Sequence, residues 1–154
     1  MTTTSIQHTN APKTRQEVPV RRLLTGGLTA AVVGVAVIEG YAALVRAAGV
    51  AMSAGFLGST HPQPVTVDSF ATGVLVCTFW GTIIAVLLCK LSRHPRRAFL
   101  LASCALAALS LVVPFGAGAT AGSTKVALAG AHVIVALIVI PILTRTLPRA
   151  AHTQ

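Results

Sequence analysis

Acidic residues are almost missing from this chain of 154 residues: 3 Asp and Glu stand against 12 Lys and Arg, and charged residues of both signs reach only 10%. A water-soluble domain carries about a quarter charged residues, so this supply cannot cover a solvent-facing surface. Aromatic residues reach 5%, too few for a platform on which bases stack, which argues against nucleic acid as the partner of the basic excess. Cysteine occurs three times, at Cys77, Cys89 and Cys104, each inside an apolar run and without C-x-x-C spacing. That excludes a disulfide-stapled mini-protein and points to no metal or cofactor; the three read as small buried hydrophobes. What the chain has in quantity is apolar side chains, 54% of the total, with a mean hydropathy of +0.79. The class that remains is an integral membrane protein.

The gaps between charges mark the spans. Leu23 to Val45 holds 23 residues with a single charge at Glu39; Ser69 to Cys89 holds 21 with none; 27 uncharged residues separate Arg97 from Lys125; and 19 separate Lys125 from Arg145. A helix needs about 20 apolar residues to cross a hydrocarbon core about 30 Å thick. The third gap exceeds one upright helix, and Pro114 with the glycines at 116, 118 and 122 is expected to end that helix and form a loop. Ser123 or Thr124 would then cap the fourth helix, and Pro95 suits the first turn of the third. The expected fold is all-α, a polytopic four-helix antiparallel bundle over residues 21–147, with spans at about 23–46, 69–90, 97–114 and 124–145. Residues 47–68 and 115–123 form the external loops. Within 47–68, the segment from His61 to Val67 should be extended, because Pro62 and Pro64 disfavour helix before them. Residues 1–20 and 148–154 read as polar cytoplasmic tails, the first disordered and dispensable for insertion.

Ten of the twelve Lys and Arg precede span one, separate spans two and three, or follow span four; only Arg46 and Lys125 fall in the other two loops. Cytoplasmic segments collect positive residues, so both termini are expected inside a bacterial plasma membrane whose anionic inner leaflet is the partner of the basic ends. Arg22, Arg46, Lys90, Arg97, Lys125 and Arg145 are the interfacial anchors. Arg21-Arg22-Leu23-Leu24 has the form of a twin-arginine export signal, but 23 residues exceed a signal-peptide core of about 7–15 and three more spans follow. An uncleaved first helix is the reading.

Glu39 and His132 are the ionisable side chains well inside the spans, where charge is costly. Glu39 lies seven residues before Arg46 and His132 seven after Lys125, which places both roughly 10 Å below the external boundary on antiparallel helices. Stripes Ala36–Glu39–Ala43–Arg46 and Lys125–Ala129–His132–Ala136 would bring the two together across a seam of small residues. The contact is either a proton-handling or cation-binding pair, or, as the commoner case, a hydrogen bond that fixes helix pairing. Thr78, Trp80, Thr82, Ser103 and Ser110 could line a path, although hydroxyls more often bond their own helix. The pairs Gly27/Ala31, Ala30/Gly34 and Ala36/Gly40 mark a helix contact, with a second copy or another membrane protein open as partner. Pro141 is expected to kink span four.

Arg21-Arg22-Leu23-Leu24, Arg46-Ala-Ala-Gly-Val50, Val113-Pro114, Ala131-His132-Val133 and Ile140-Pro141, in this order, resemble an uncharacterised family of small four-span membrane proteins common in actinobacteria. The resemblance covers residues 20–147 and implies a bacterial plasma-membrane protein of unassigned function, with no catalytic or binding residue carried over. A non-enzymatic scaffold, accessory or stress-related membrane protein fits the lack of a catalytic constellation. The alternatives are a small proton-coupled transporter using Glu39 and His132, which the one-sided charge split and the scarcity of aromatics near Glu39 disfavour, and a membrane enzyme acting on lipid or quinone.

Overall fold

The computed structural model describes residues 20–55 and 61–148; the tails expected at 1–20 and 148–154 lie, but for Val20 and Pro148, outside the described residues. The helices are α1 (Val20–Ala47), α2 (Val67–Leu91), α3 (Pro95–Ser110), α4 (Val112–Gly116) and α5 (Gly122–Thr146). Among the described residues, four stretches are long and apolar enough to cross a membrane: Val20–Ala47, Asp68–Leu91, Pro95–Gly116 and Gly122–Thr146.

The bundle is small inside and large outside. Helix α1 buries Leu23, Gly26, Gly27, Ala30, Gly34, Ile38 and Ala42, while Leu28 and Leu44 on its other faces are 68% and 72% exposed. Water would not tolerate such a surface. Lipid does, and it favours the arrangement: tails are as apolar as Leu, so helices associate by close packing of small residues.

Close approaches set the register. A Cβ on Gly27 would lie 2.5 Å from Thr82 Oγ1, and one on Gly34 would lie 2.8 Å from Val74 Cγ1. Moving up α1 therefore moves down α2. Gly26 meets Thr146 at one end of α5, and Tyr41 donates to the Ala127 carbonyl at 2.9 Å near the other. Helix α1 is thus antiparallel to both neighbours, and Gly27 and Gly34 of the small-residue pairs have partners within this chain, whereas Ala36 and Gly40 are exposed. Helix α3 packs on α5 and α2. A cluster of Leu23, Ala85, Phe99, Val139 and Leu143 closes the end where α1 begins and α5 ends. Ile38, Ala42, Phe70, Val74 and Ala131 close the other half.

The third span ends at Gly116, inside the Pro- and Gly-rich stretch expected to close it, but it is also interrupted. The break falls earlier, between α3 and α4 at Leu111, and helix resumes through Pro114 to Gly116. Proline lacks an N–H and its ring crowds the carbonyl four residues back, which here is Ser110. The helix gives way at that carbonyl, leaving Pro114 in the first turn of a new helix. Pro95 is the first residue of α3.

The described part of the loop after α1 is folded. Gly49, at φ +78°, stops the helix with Val50 N–H donating to Val45 O and Gly49 N–H to Arg46 O, a Schellman closure that needs the left-handed residue. Strands β1 (Ser53–Ala54) and β2 (Gln63–Pro64) then pair antiparallel. Gly55 N–H donates to Thr120 Oγ1 at 3.0 Å, and Thr124 Oγ1 donates to the Ala51 carbonyl. Thr124 therefore does not cap α5. That helix starts at Gly122 behind Ala121, with no side-chain cap, so Thr124 falls inside the first turn and its hydroxyl is spent on the hairpin.

Candidate functional site

The structure does not join Glu39 to His132. Glu39 Oε1 is buried with no hydrogen-bond partner, and His132 Nδ1 bonds the Leu128 carbonyl of its own helix at 2.8 Å. Helix phase explains the separation. The α1 seam runs through Ile38 and Ala42, and the α5 seam through Ala127 and Ala131. Glu39 and His132 each follow a buried seam residue, which turns each side chain about 100° away from the contact. Ala36, Ala43 and Gly40, expected at the seam, are exposed. Tyr41 occupies the place intended for Glu39: its hydroxyl reaches Ala127, and a Cβ on Gly130 would lie 2.6 Å from it.

The anchor residues sit at helix ends. Arg22, Lys90, Arg97 and Arg145 are exposed at the end where α1 begins. At the hairpin end, Arg46 Nη2 donates to Val65 O at 3.2 Å and its guanidinium lies 5.9 Å from the Phe70 ring centre. Lys125 Nζ donates to Phe115 O at 3.2 Å. The two basic residues of the hairpin end are thus engaged by the protein itself.

His132 instead looks toward α2 and α3. It lines a cavity of about 440 Å³ bounded by α2, α3 and α5, whose wall also carries Phe70, Cys77, Trp80, Phe99, Ser103 and Ser110. Trp80, Ser103 and Ser110, which by sequence could line a path or simply pack, are on its wall. Thr78 and Thr82 are not: they bond Val74 O and Thr78 O on their own helix, and Thr82 presses against Gly27. On the other side of α5, His132 reaches a groove along α3 that runs past Leu100, Leu111 and Leu137 to Arg96 and Arg145. Pro141, inside α5, has no N–H for the Leu137 carbonyl, which leaves one backbone acceptor beside that groove. Cys104 lines the groove, Cys77 lines the cavity, and Cys89 packs on the core, so the three thiols stand apart. Among the described residues no group of three His, Cys, Asp or Glu could hold a metal ion.

The sequence marks single lining residues but not the cavity itself, which is made by a gap between helices and not by a motif. Gly73 lines its wall, and a Cβ there would meet nothing within 4 Å.

The chain belongs to DUF6069, a family of unknown function, whose model matches residues 18–149. No curated protein and no solved structure matches it.

Proposed function

We propose, from a family membership that assigns no activity, that the chain is a non-enzymatic accessory protein of the bacterial plasma membrane, with both termini cytoplasmic and the anionic inner leaflet as its first partner. The observation that carries this reading is the start of α3. Arg93, Arg96 and Arg97 crowd a helix N-terminus that has no acidic residue in its first turn, where the helix dipole is positive and favours anions. Local electrostatics would put acids there. An anionic leaflet supplies the missing negative charge, and the groove ending at Arg96 and Arg145 offers its lipids an apolar trough below two guanidinium groups. The polar side chains of the spans support a static bundle, because Thr78, Thr82, Ser110 and Thr144 each bond their own helix backbone.

One observation favours a second reading, a small proton-coupled transporter: the unpartnered Glu39 oxygen, since intramembrane acids often serve proton relays. Proteoliposomes carrying a pH-sensitive dye inside separate the two. The accessory reading expects proton flux no faster than in protein-free liposomes. Flux that rises with protein content and disappears in Glu39→Gln would replace it with the transporter.

A further inference from the structure

The cavity beside His132 has features that the accessory reading does not use. Its volume of about 440 Å³ falls within the roughly 300–1,000 Å³ usual for small-ligand sites. It extends along α2 from Ser69 to Ile84, roughly 22 Å at 1.5 Å per residue, so it spans much of the hydrocarbon depth. Trp80 and Cys77 on its wall are exposed on the bundle surface; in a membrane that surface is lipid, so a ligand enters sideways from the bilayer. Such a ligand is apolar and uncharged.

Two further observations narrow its chemistry. The chain has five Phe, one Tyr and one Trp, and three of these seven, Phe70, Trp80 and Phe99, line this cavity. Aromatic walls in an otherwise Ala-, Val- and Leu-rich bundle favour a planar ring. His132 supplies the polar handle. A carbonyl oxygen only accepts, so the Nδ1 bond to Leu128 O places the hydrogen on Nδ1, and the neutral ring then leaves Nε2 as an acceptor. Nε2 has no partner among the described residues, and hydrocarbon tails offer none. A hydroxyl donor on the ligand completes the site.

We propose that this cavity binds an uncharged, membrane-soluble aromatic alcohol of the phenol or hydroquinone class, with its hydroxyl donated to His132 Nε2, its ring beside Phe70 in the same half of the bundle, and its apolar remainder running past Trp80 toward Phe99. The proposal does not depend on which way the bundle faces or on whether Glu39 moves protons.

Trp80 is the one tryptophan in the chain, so its fluorescence reports the cavity directly. The full-length protein in detergent is titrated with 4-octylphenol and, in parallel, with octylbenzene, which has the same shape without the hydroxyl. Saturable quenching by 4-octylphenol is expected at roughly fivefold lower concentration than by octylbenzene, the value of one hydrogen bond. His132→Leu should bring 4-octylphenol to the level of octylbenzene. Gly73→Leu fills open space on the wall, and should abolish saturation by both probes while leaving the melting temperature unchanged; it decides the matter even if His132→Leu does not fold. Equal affinities for the two probes, quenching that stays linear, or unaltered binding in Gly73→Leu overturns the proposal. Competition by menadiol, a naphthohydroquinone, supports the hydroquinone class. Competition by dioctanoylglycerol alone shows a lipid alcohol and overturns the aromatic part.

Discussion

Gly27→Leu is expected to part α1 from α2 and to lower the melting temperature of the detergent-solubilised protein more than any single exposed substitution. Even a Cβ at Gly27 would sit 2.5 Å from Thr82 Oγ1, and that hydroxyl cannot simply rotate away without losing its 2.8 Å bond to the Thr78 carbonyl. The leucine must therefore push the helices apart. Overpacking of this kind costs typically 1–3 kcal/mol, against roughly 5–15 kcal/mol of total stability for an ordinary domain. Gly40→Leu is the matched control: the same helix and the same substitution, but at a glycine with nothing within 4 Å of the added carbon. It should melt no lower than the parent. Equal losses in the two variants would show that detergent contacts, and not the α1–α2 seam, set the stability, since leucine is a better helix former than glycine.

Glu39→Leu is expected to act in the opposite direction. A buried polar atom without a partner costs about 1–3 kcal/mol, and Glu39 Oε1 is such an atom. Leucine removes that cost and adds an apolar side chain suited to lipid, so thermal stability should rise. Because His132 is bonded to Leu128 and not to Glu39, Glu39→Leu and His132→Leu should add without coupling in a double-mutant cycle. A loss of stability in Glu39→Leu, together with a coupling near the roughly 0.6 kcal/mol of an interhelical hydrogen bond in a membrane, would restore the pair that the sequence suggests.

These two positions also show what can be read from the chain and what cannot. Span ends are legible because charges are rare and each interrupts a run: Arg22, Arg46, Lys90, Arg97, Lys125 and Arg145 all lie at helix ends in the structure. Helix rotation is far harder. In a soluble helix polar residues mark the outer face, but here Leu28 and Val32 face lipid while Leu23 and Ile38 face protein, with no contrast between them. The usable signal is size, in the four-residue ladder Gly26, Ala30, Gly34, Ile38 and Ala42. Choosing the seven-residue stripe through Ala36, Glu39 and Ala43 instead puts the seam on the wrong side, because small residues occur on both faces. The pairs Gly27/Ala31 and Ala30/Gly34 do touch the true seam through Gly27, Ala30 and Gly34. The extended run around Pro62 and Pro64 is legible from proline chemistry. Its pairing with Ser53–Ala54 and the ties to Thr120 and Thr124 join residues too far apart in sequence for any local signal.

The central claim is a four-span bundle with its hairpin on one side of the membrane and the α2–α3 turn on the other. Single cysteines at Gln63 and at His94, each in a background lacking Cys77, Cys89 and Cys104, test it most directly with a membrane-impermeant maleimide applied to intact cells. Both positions are exposed. The account predicts labelling at residue 63 in intact cells, and labelling at residue 94 only after the membrane is opened. Labelling at residue 94 but not at residue 63 in intact cells would invert the orientation, and labelling at both would contradict the four-span bundle itself.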